Sequence, residues 1–272
     1  MRAVGPSLVV TAHLLAAPGC APLDPAPEDL DGLFHYVWNH LDEGVDGELA
    51  GAAVNAHAAV DGDTLAEPVD GTVSGLDRAA LDAVGMPQSA DPAAAVGLYR
   101  IGLLPCTLDQ VERAAISDEL AGLYPDLIDG CERTYLGDLE AYRSREVATL
   151  DWESWIEDSL AGIGYSKRVL GGIRRIPEID AGASPWGPVL FTRAWLPEPA
   201  VFEGDDYYWD QDYQVDLYLE RAPGEVLHLL ALWRSVGMGT ITSENEFMQT
   251  MILKARADWD DRTAELCEAG EI

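Results

Sequence analysis

The sequence predicts an α+β fold in which antiparallel strands, gathered in the second half of the chain, are closed by one long C-terminal helix. Three observations predict it. From Ser243 to Cys267 apolar residues recur at helical spacing, the stretch ERAPGEV sets a turn between two apolar runs, and the composition changes near Gly97. Beyond that point lie seven of the eight tryptophans and most of the long apolar runs.

The chain of 272 residues carries 48 acidic and 17 basic residues, a formal charge of -31, and only Lys167 and Lys254 are lysines. With 48% hydrophobic positions it buries a sizeable core, whereas a nucleic-acid phosphate backbone would be repelled, so no nucleic-acid partner is expected. The acidic excess reads as a heavily solvated surface.

Residues 1–19 have the layout of an export signal: Arg2, then a run from Leu8 to Ala17 that is apolar apart from Thr11 and His13, too short to span a membrane. The residues before Cys20, Ala17-Pro18-Gly19, resemble a bacterial lipobox, which implies that Cys20 is acylated and becomes the new N-terminus. An ordinary secretory signal cut nearby is the alternative, and both export the chain. Residues 20–29 belong to a tether, because PLDPAPEDLD has three prolines and four acids and cannot bury an apolar face. Ala21 after the cysteine is what resemblance to such lipoproteins links with outer-membrane sorting. The expected place is therefore the bacterial cell envelope, as an outer-membrane lipoprotein held to the membrane through Cys20.

Residues 30–96 are expected to form a helical segment packed on the main domain. Leu30, Leu33, Phe34, Val37, Trp38 and Leu41 make an amphipathic first helix. Asp46 opens an alanine-rich second helix, and Ser74 with Asp77 a short third one. From Ala21 to Val96 there are fifteen acids and one base, Arg78, and too little bulk for a separate core.

The main domain spans 97–272. Leu98 to Leu104 reads as a strand, and Thr107 with Gln110 as a capping box opening a helix to about Ser117. A second short helix runs towards Tyr124. Residues 132–142 are ambiguous between strand and helix. Strands are expected at 147–156, 165–176, 189–196, 213–220 and 226–234. In ERAPGEV, Pro223 and Gly224 suit the two central positions of a type II turn and join the last two strands as a hairpin. Ser243 and Glu246 form the capping box of the final helix, whose buried face includes Phe247, Met248, Ile252 and Trp259.

This order of strand, helix, helix, several antiparallel strands and one long helix resembles the START-like, or helix-grip, superfamily over about Gly97 to Cys267. The resemblance implies a curved antiparallel sheet wrapped on the last helix, with a hydrophobic ligand held beneath it. The stretches LLPCTLDQVE, LYPDLID, CERTY and DWDDRTAELC are also similar to predicted bacterial lipoproteins of unknown function. With Cys20 acylated, Cys106, Cys131 and Cys267 remain, and three cannot all pair within one chain. The helix-grip arrangement implies a Cys106–Cys267 disulfide, with Cys106–Cys131 as its rival.

Counting outward from the turn sets Leu219 against His228, Leu217 against Leu230, Val215 against Leu232 and Tyr213 against Arg234. On that register Tyr213, Val215, Leu217, His228, Leu230, Leu232 and Arg234 share the face expected to bind the ligand, a hydrophobic small molecule or lipid. The competing reading is that this face only packs on the helix. The DWDD stretch is expected on the solvent side of the helix, around a buried Trp259. Lys167, Arg168, Arg174 and Arg175 form the one basic concentration, suited to an anionic lipid headgroup or to pairing with neighbouring carboxylates.

No metal and no cofactor is expected. His35 and His40 do not share a helical face, GDDYYWDQDYQVD lacks the EF-hand pattern, GIGYSK is a lone GxG that reads as a turn, and no GxSxG occurs. Three functions fit: a binder of hydrophobic molecules, an envelope interaction protein with a filled core, and an enzyme using His228 as acid or base.

Overall fold

A computed structural model describes residues 25–42, 46–60, 65, 67–160, 162–176, 179–180 and 185–272. The expected export signal at 1–19 and the expected acylation site Cys20 lie outside the described residues.

The elements are α1 (Leu30–His40), α2 (Asp46–Ala59), β1 (Val69–Val73), α3 (Arg78–Ala83), β2 (Val96–Leu104), α4 (Leu108–Ala115), α5 (Leu120–Leu123), β3 (Gly130–Tyr135) and α6 (Leu139–Arg143). They continue with β4 (Thr149–Leu160), β5 (Ile163–Ile176), β6 (Ile179–Asp180), β7 (Pro185–Trp186), β8 (Val189–Trp195), β9 (Val201–Phe202), β10 (Tyr207–Ala222), β11 (Glu225–Met238), β12 (Ile241–Thr242) and α7 (Glu246–Ala269). One antiparallel sheet of ten strands runs β1-β2-β11-β10-β8-β5-β4-β3, with β12 on β11 and β9 on β5. With α7 against one face, this is an α+β helix-grip fold.

The ambiguous stretch 132–142 resolves into both elements, since β3 ends at Tyr135 and Asp138 caps α6 through Ala141 N. Thr107 and Gln110 form the capping box of α4. For α7 the cap is Asn245, whose side chain accepts from Phe247 N, rather than Ser243. The Ser243 hydroxyl accepts instead from Val236 N, and Phe247 is exposed. Gly270 ends α7 in the left-handed conformation that glycine adopts without steric cost. Segment 30–96 is not purely helical, because Val69–Val73 pairs with β2 as an edge strand.

The outer face of the sheet is covered by α1, α2 and α3. Trp38 of α1 meets Tyr213 and Trp233 edge-on, at 5.5 and 6.0 Å between ring centroids, and donates its Nε1 proton to Ala80 O at 3.1 Å. Val215, Leu217, Leu229 and Ala231 complete this solid core. The inner face looks to α7, α4 and α5. There Cys106, just before α4, forms a disulfide with Cys267 in the last turn of α7. It closes a sequence separation of 161 residues, and Cys131 is a free, half-buried thiol.

Candidate functional site

The β10–β11 hairpin decides which side chains meet the space beneath α7. Its turn is where the sequence puts it, with Ala222 opposite Glu225 and Gly224 at φ 77°. One residue further, the register shifts between Glu220 and Ala222, so Arg221 forms a bulge. A bulge adds one residue to one strand and moves every later side chain to the other face. The pairs are consequently Tyr218 with His228, Asp216 with Leu230, Gln214 with Leu232 and Asp212 with Arg234.

This corrects the expected face. His228, Leu230, Leu232 and Arg234 point inward, whereas Tyr213, Val215 and Leu217 point outward into the core with Trp38. The inner face of β10 carries Asp212, Gln214, Asp216 and Tyr218 instead. Leu232 packs with Leu98 and Met248, and Leu230 and Arg234 line a cavity of ≈ 440 Å³ between sheet and α7. Other apolar walls come from Val111, Leu120 and Ile128 near the C-terminal half of α7, and from Ile252 and Val236 towards its N-terminal half.

Near its middle the cavity is crossed by a polar chain. His228 Nε2 lies 3.1 Å from Asp216 Oδ1 and His228 Nδ1 lies 3.0 Å from Asp260 Oδ1. Asp216 also accepts from Thr192 Oγ1 at 2.6 Å and from Gln214 Nε2 at 2.9 Å. Arg100 Nε reaches Asp260 Oδ2 at 3.3 Å, and Tyr218 stacks on the imidazole with centroids 4.3 Å apart. Burial opposes the imidazolium, but Asp260 and Asp216 outweigh it and hold the pKa of His228 up at about 9. Burial likewise opposes the Asp216 carboxylate, and His228, Thr192 and Gln214 together keep its pKa below the ordinary value. His228 thus favours its charged form at neutral pH, with both ring nitrogens hydrogen-bonded to carboxylates. Asp260 belongs to DWDD, so that stretch is not wholly on the solvent side. Trp259 stacks on Tyr124 at 4.1 Å, while Asp258 pairs with Lys254 on the surface.

A second polar group lies further towards the N-terminal half of α7. Arg234 forks Asp212 at 2.9 and 3.1 Å, and its Cζ sits 4.4 Å from the ring centroid of Trp209. Lys167 Nζ sits 3.8 Å from the same centroid. Arg256 of α7 joins them at the cavity wall, with its buried Nε lacking a hydrogen-bond partner among the described residues. Burial, reinforced by Arg234 and Arg256 and only partly opposed by Asp212 and Asp158, brings the pKa of Lys167 down to about 7.

The basic concentration read from sequence therefore divides. Arg168 pairs with Glu153, Arg174 donates to Leu41 O, and Arg175 pairs with Glu112 and Asp109, leaving Lys167 to the cavity. Asp212, Asp216, Asp260 and Arg256 were not singled out by sequence as site residues, and Lys167 was read only as one member of the basic concentration. The alternation of DYQVDLYL, polar at every second position, was the available signal. Among the described residues, no group of three or more His, Cys, Asp or Glu side chains is placed to hold a metal ion.

No family model matches the sequence, and no curated protein sequence matches it. Among solved structures, the chain is similar to a START superfamily protein from Mycobacterium smegmatis, at 9% identity and a TM-score of 0.37, over 64% of this chain and 97% of that one.

Proposed function

We propose that the protein binds a hydrophobic small molecule or lipid beneath α7 and acts as a carrier or receptor rather than a catalyst. The observation that carries this reading is the cavity of ≈ 440 Å³, within the roughly 300–1,000 Å³ of ligand pockets, with mostly apolar walls and a few convergent polar groups. An interaction protein whose core is filled by its own side chains has no use for that space. The commitment of both nitrogens of His228 counts against its service as acid or base.

The proposal includes export and attachment to the bacterial envelope through an acylated Cys20, supported by the apolar run, the small residues before the cysteine and the acidic, proline-rich tether. Mass spectrometry of the protein from a bacterial host tests both parts. The expected result is a native mass above the denatured mass by a discrete apolar compound, and a denatured mass that includes acyl chains on a chain starting at Cys20. No added compound in the native spectrum, together with no uptake of an added alkyl probe, sinks the binding role. An unacylated N-terminus sinks the anchor.

A further inference from the structure

Within the proposed binding role, we infer that the ligand is a single-chain amphiphile with an anionic head, a carboxylate or a phosphate, seated among Lys167, Arg234 and Arg256 with its tail running under α7 towards α4 and α5. The inference rests on the cavity being a ligand site and goes on to name the class of ligand.

The argument begins with charge. Three cations converge at one end of the cavity against two carboxylates that are already engaged: Asp212 is forked by Arg234, and Asp158 accepts from Tyr165 Oη at 2.9 Å. Lys167 makes no ion pair among the described residues and is met by the faces of Trp209 and Tyr165. Arg256 keeps a buried donor, Nε, without a partner among the described residues. Lys167 and Arg256 are half-buried, a cation so placed without an anion loses part of its hydration, and a chain with 48 acidic residues and 17 basic ones does not lack carboxylates to place beside them. The arrangement is complete once an anion from outside accepts from Lys167 and Arg256. Trp209 adds a buried indole Nε1 at the same wall that has no hydrogen-bond partner among the described residues.

Size and polarity set the rest of the ligand. The volume lies near the small end of the range for ligand sites, which favours one alkyl chain over two. Away from the cations, Val111, Leu120, Ile128 and Leu230 offer no hydrogen-bonding side chain, and the polar groups between them, Arg133 with Ser154, Tyr124 with Thr263 and His228 with Asp216 and Asp260, are paired with one another.

Proton linkage gives the site a signature. Lys167 faces Asp158 from β4, Tyr165 on its own strand, Asp212 from β10, Arg234 from β11 and Arg256 from α7. An anion set among these groups favours the ammonium, so binding above neutral pH draws a proton onto Lys167.

The test is calorimetric titration of the full chain, stripped of bound lipid, with dodecanoate, dodecyl phosphate, dodecanol and dodecylammonium. The anions are expected to bind at least about tenfold more tightly than the alcohol, the worth of one charge-assisted hydrogen bond, and the ammonium most weakly. At pH 8, titrations in buffers of different ionisation enthalpy are expected to show proton uptake with either anion. Lys167→Met abolishes the uptake, and Arg256→Gln brings the anion-to-alcohol ratio towards one, each variant first shown to keep the native near-ultraviolet dichroism. The tighter of the two anions identifies a fatty-acid or a phosphorylated head. If dodecanol binds as tightly as dodecanoate, the anionic head is wrong while the cavity reading stands. If none of the four binds, both fall. The comparison of ligands on the unaltered chain decides even where a variant fails to fold.

Discussion

The two faces of the sheet use the same strands to opposite ends. On the outer face Tyr213, Val215, Leu217 and Trp233 are buried in one apolar cluster with α1. On the inner face, one residue along the same strands, Asp212, Asp216, His228 and Arg234 face a cavity. A sheet covered on both sides need not put water against its polar stripe. Here the apolar stripe makes the solid core, and the polar stripe lines the hollow one.

The bulge at Arg221 holds these two stripes in place, and its deletion gives the largest effect. Removing Arg221 would turn Asp212, Gln214 and Asp216 into the outer core, where buried unpaired charge costs about 3–5 kcal/mol at each of the two aspartates. Loss of a cooperative urea transition is expected, and a native-like transition would show that the register is set elsewhere. Next is the disulfide that fixes α7 over the cavity. Cys106→Ser with Cys267→Ser should lower stability by up to about 5 kcal/mol, as the closed loop is long. Near-ultraviolet dichroism should fall and probe binding weaken in the same variant.

The faces also differ in how they answer a change of volume. Trp38 is fully buried in a filled core, so Trp38→Ala should cost about 3–5 kcal/mol in urea unfolding. Ala194 borders the cavity, and Ala194→Leu should cost less than about 1.5 kcal/mol while reducing uptake of an alkyl probe. Equal costs at the two positions would mean that the inner face is as tightly filled as the outer one.

A smaller effect lies in the pH dependence. The folded state raises the pKa of His228 to about 9 from 6.5, so its contribution is present in full below about pH 6.5 and is lost as pH rises through 9. Lys167 has the opposite sign. Its pKa falls from 10.5 to about 7, so its ammonium is a burden to the folded state at low pH, and that burden lifts as pH rises from 7 towards 10.5. Between pH 7 and 9 the two oppose each other. Urea midpoints across this window should be flatter for the unaltered protein than for Lys167→Met, whose stability should decline more steeply with rising pH.

Much of the fold was legible because its signals are local. The capping box of α4, the PG turn and the long apolar periodicity of α7 each depend on a few neighbouring residues. The Cys106–Cys267 pairing was implied by the helix-grip resemblance, with Cys106–Cys131 as its rival, and the structure forms the first of the two. The bulge had no such signal: Arg221 is an ordinary residue in an ordinary strand. Without it the count from the turn put Tyr213, Val215 and Leu217 under α7 and left Asp212 and Asp216 out. The assumption that acidic positions face solvent hid Asp260 in the same way. Lys167 stood among neighbouring arginines, and only the alternation along β5 separates it from Arg168. Val69–Val73, with its half-polar VDGTV, gains its place from pairing with β2 rather than from its own pattern.

The central claim is that the space between the inner face and α7 is where this protein holds its ligand. The most direct measurement is a crystal structure grown with 12-bromododecanoate, using the anomalous signal of bromine to mark the tail. A bromine peak inside the cavity towards Leu120 and Ile128, with the carboxylate at Lys167 and Arg256, is the predicted result. A cavity closed by its own side chains, with bromine only on the outer surface, would contradict it.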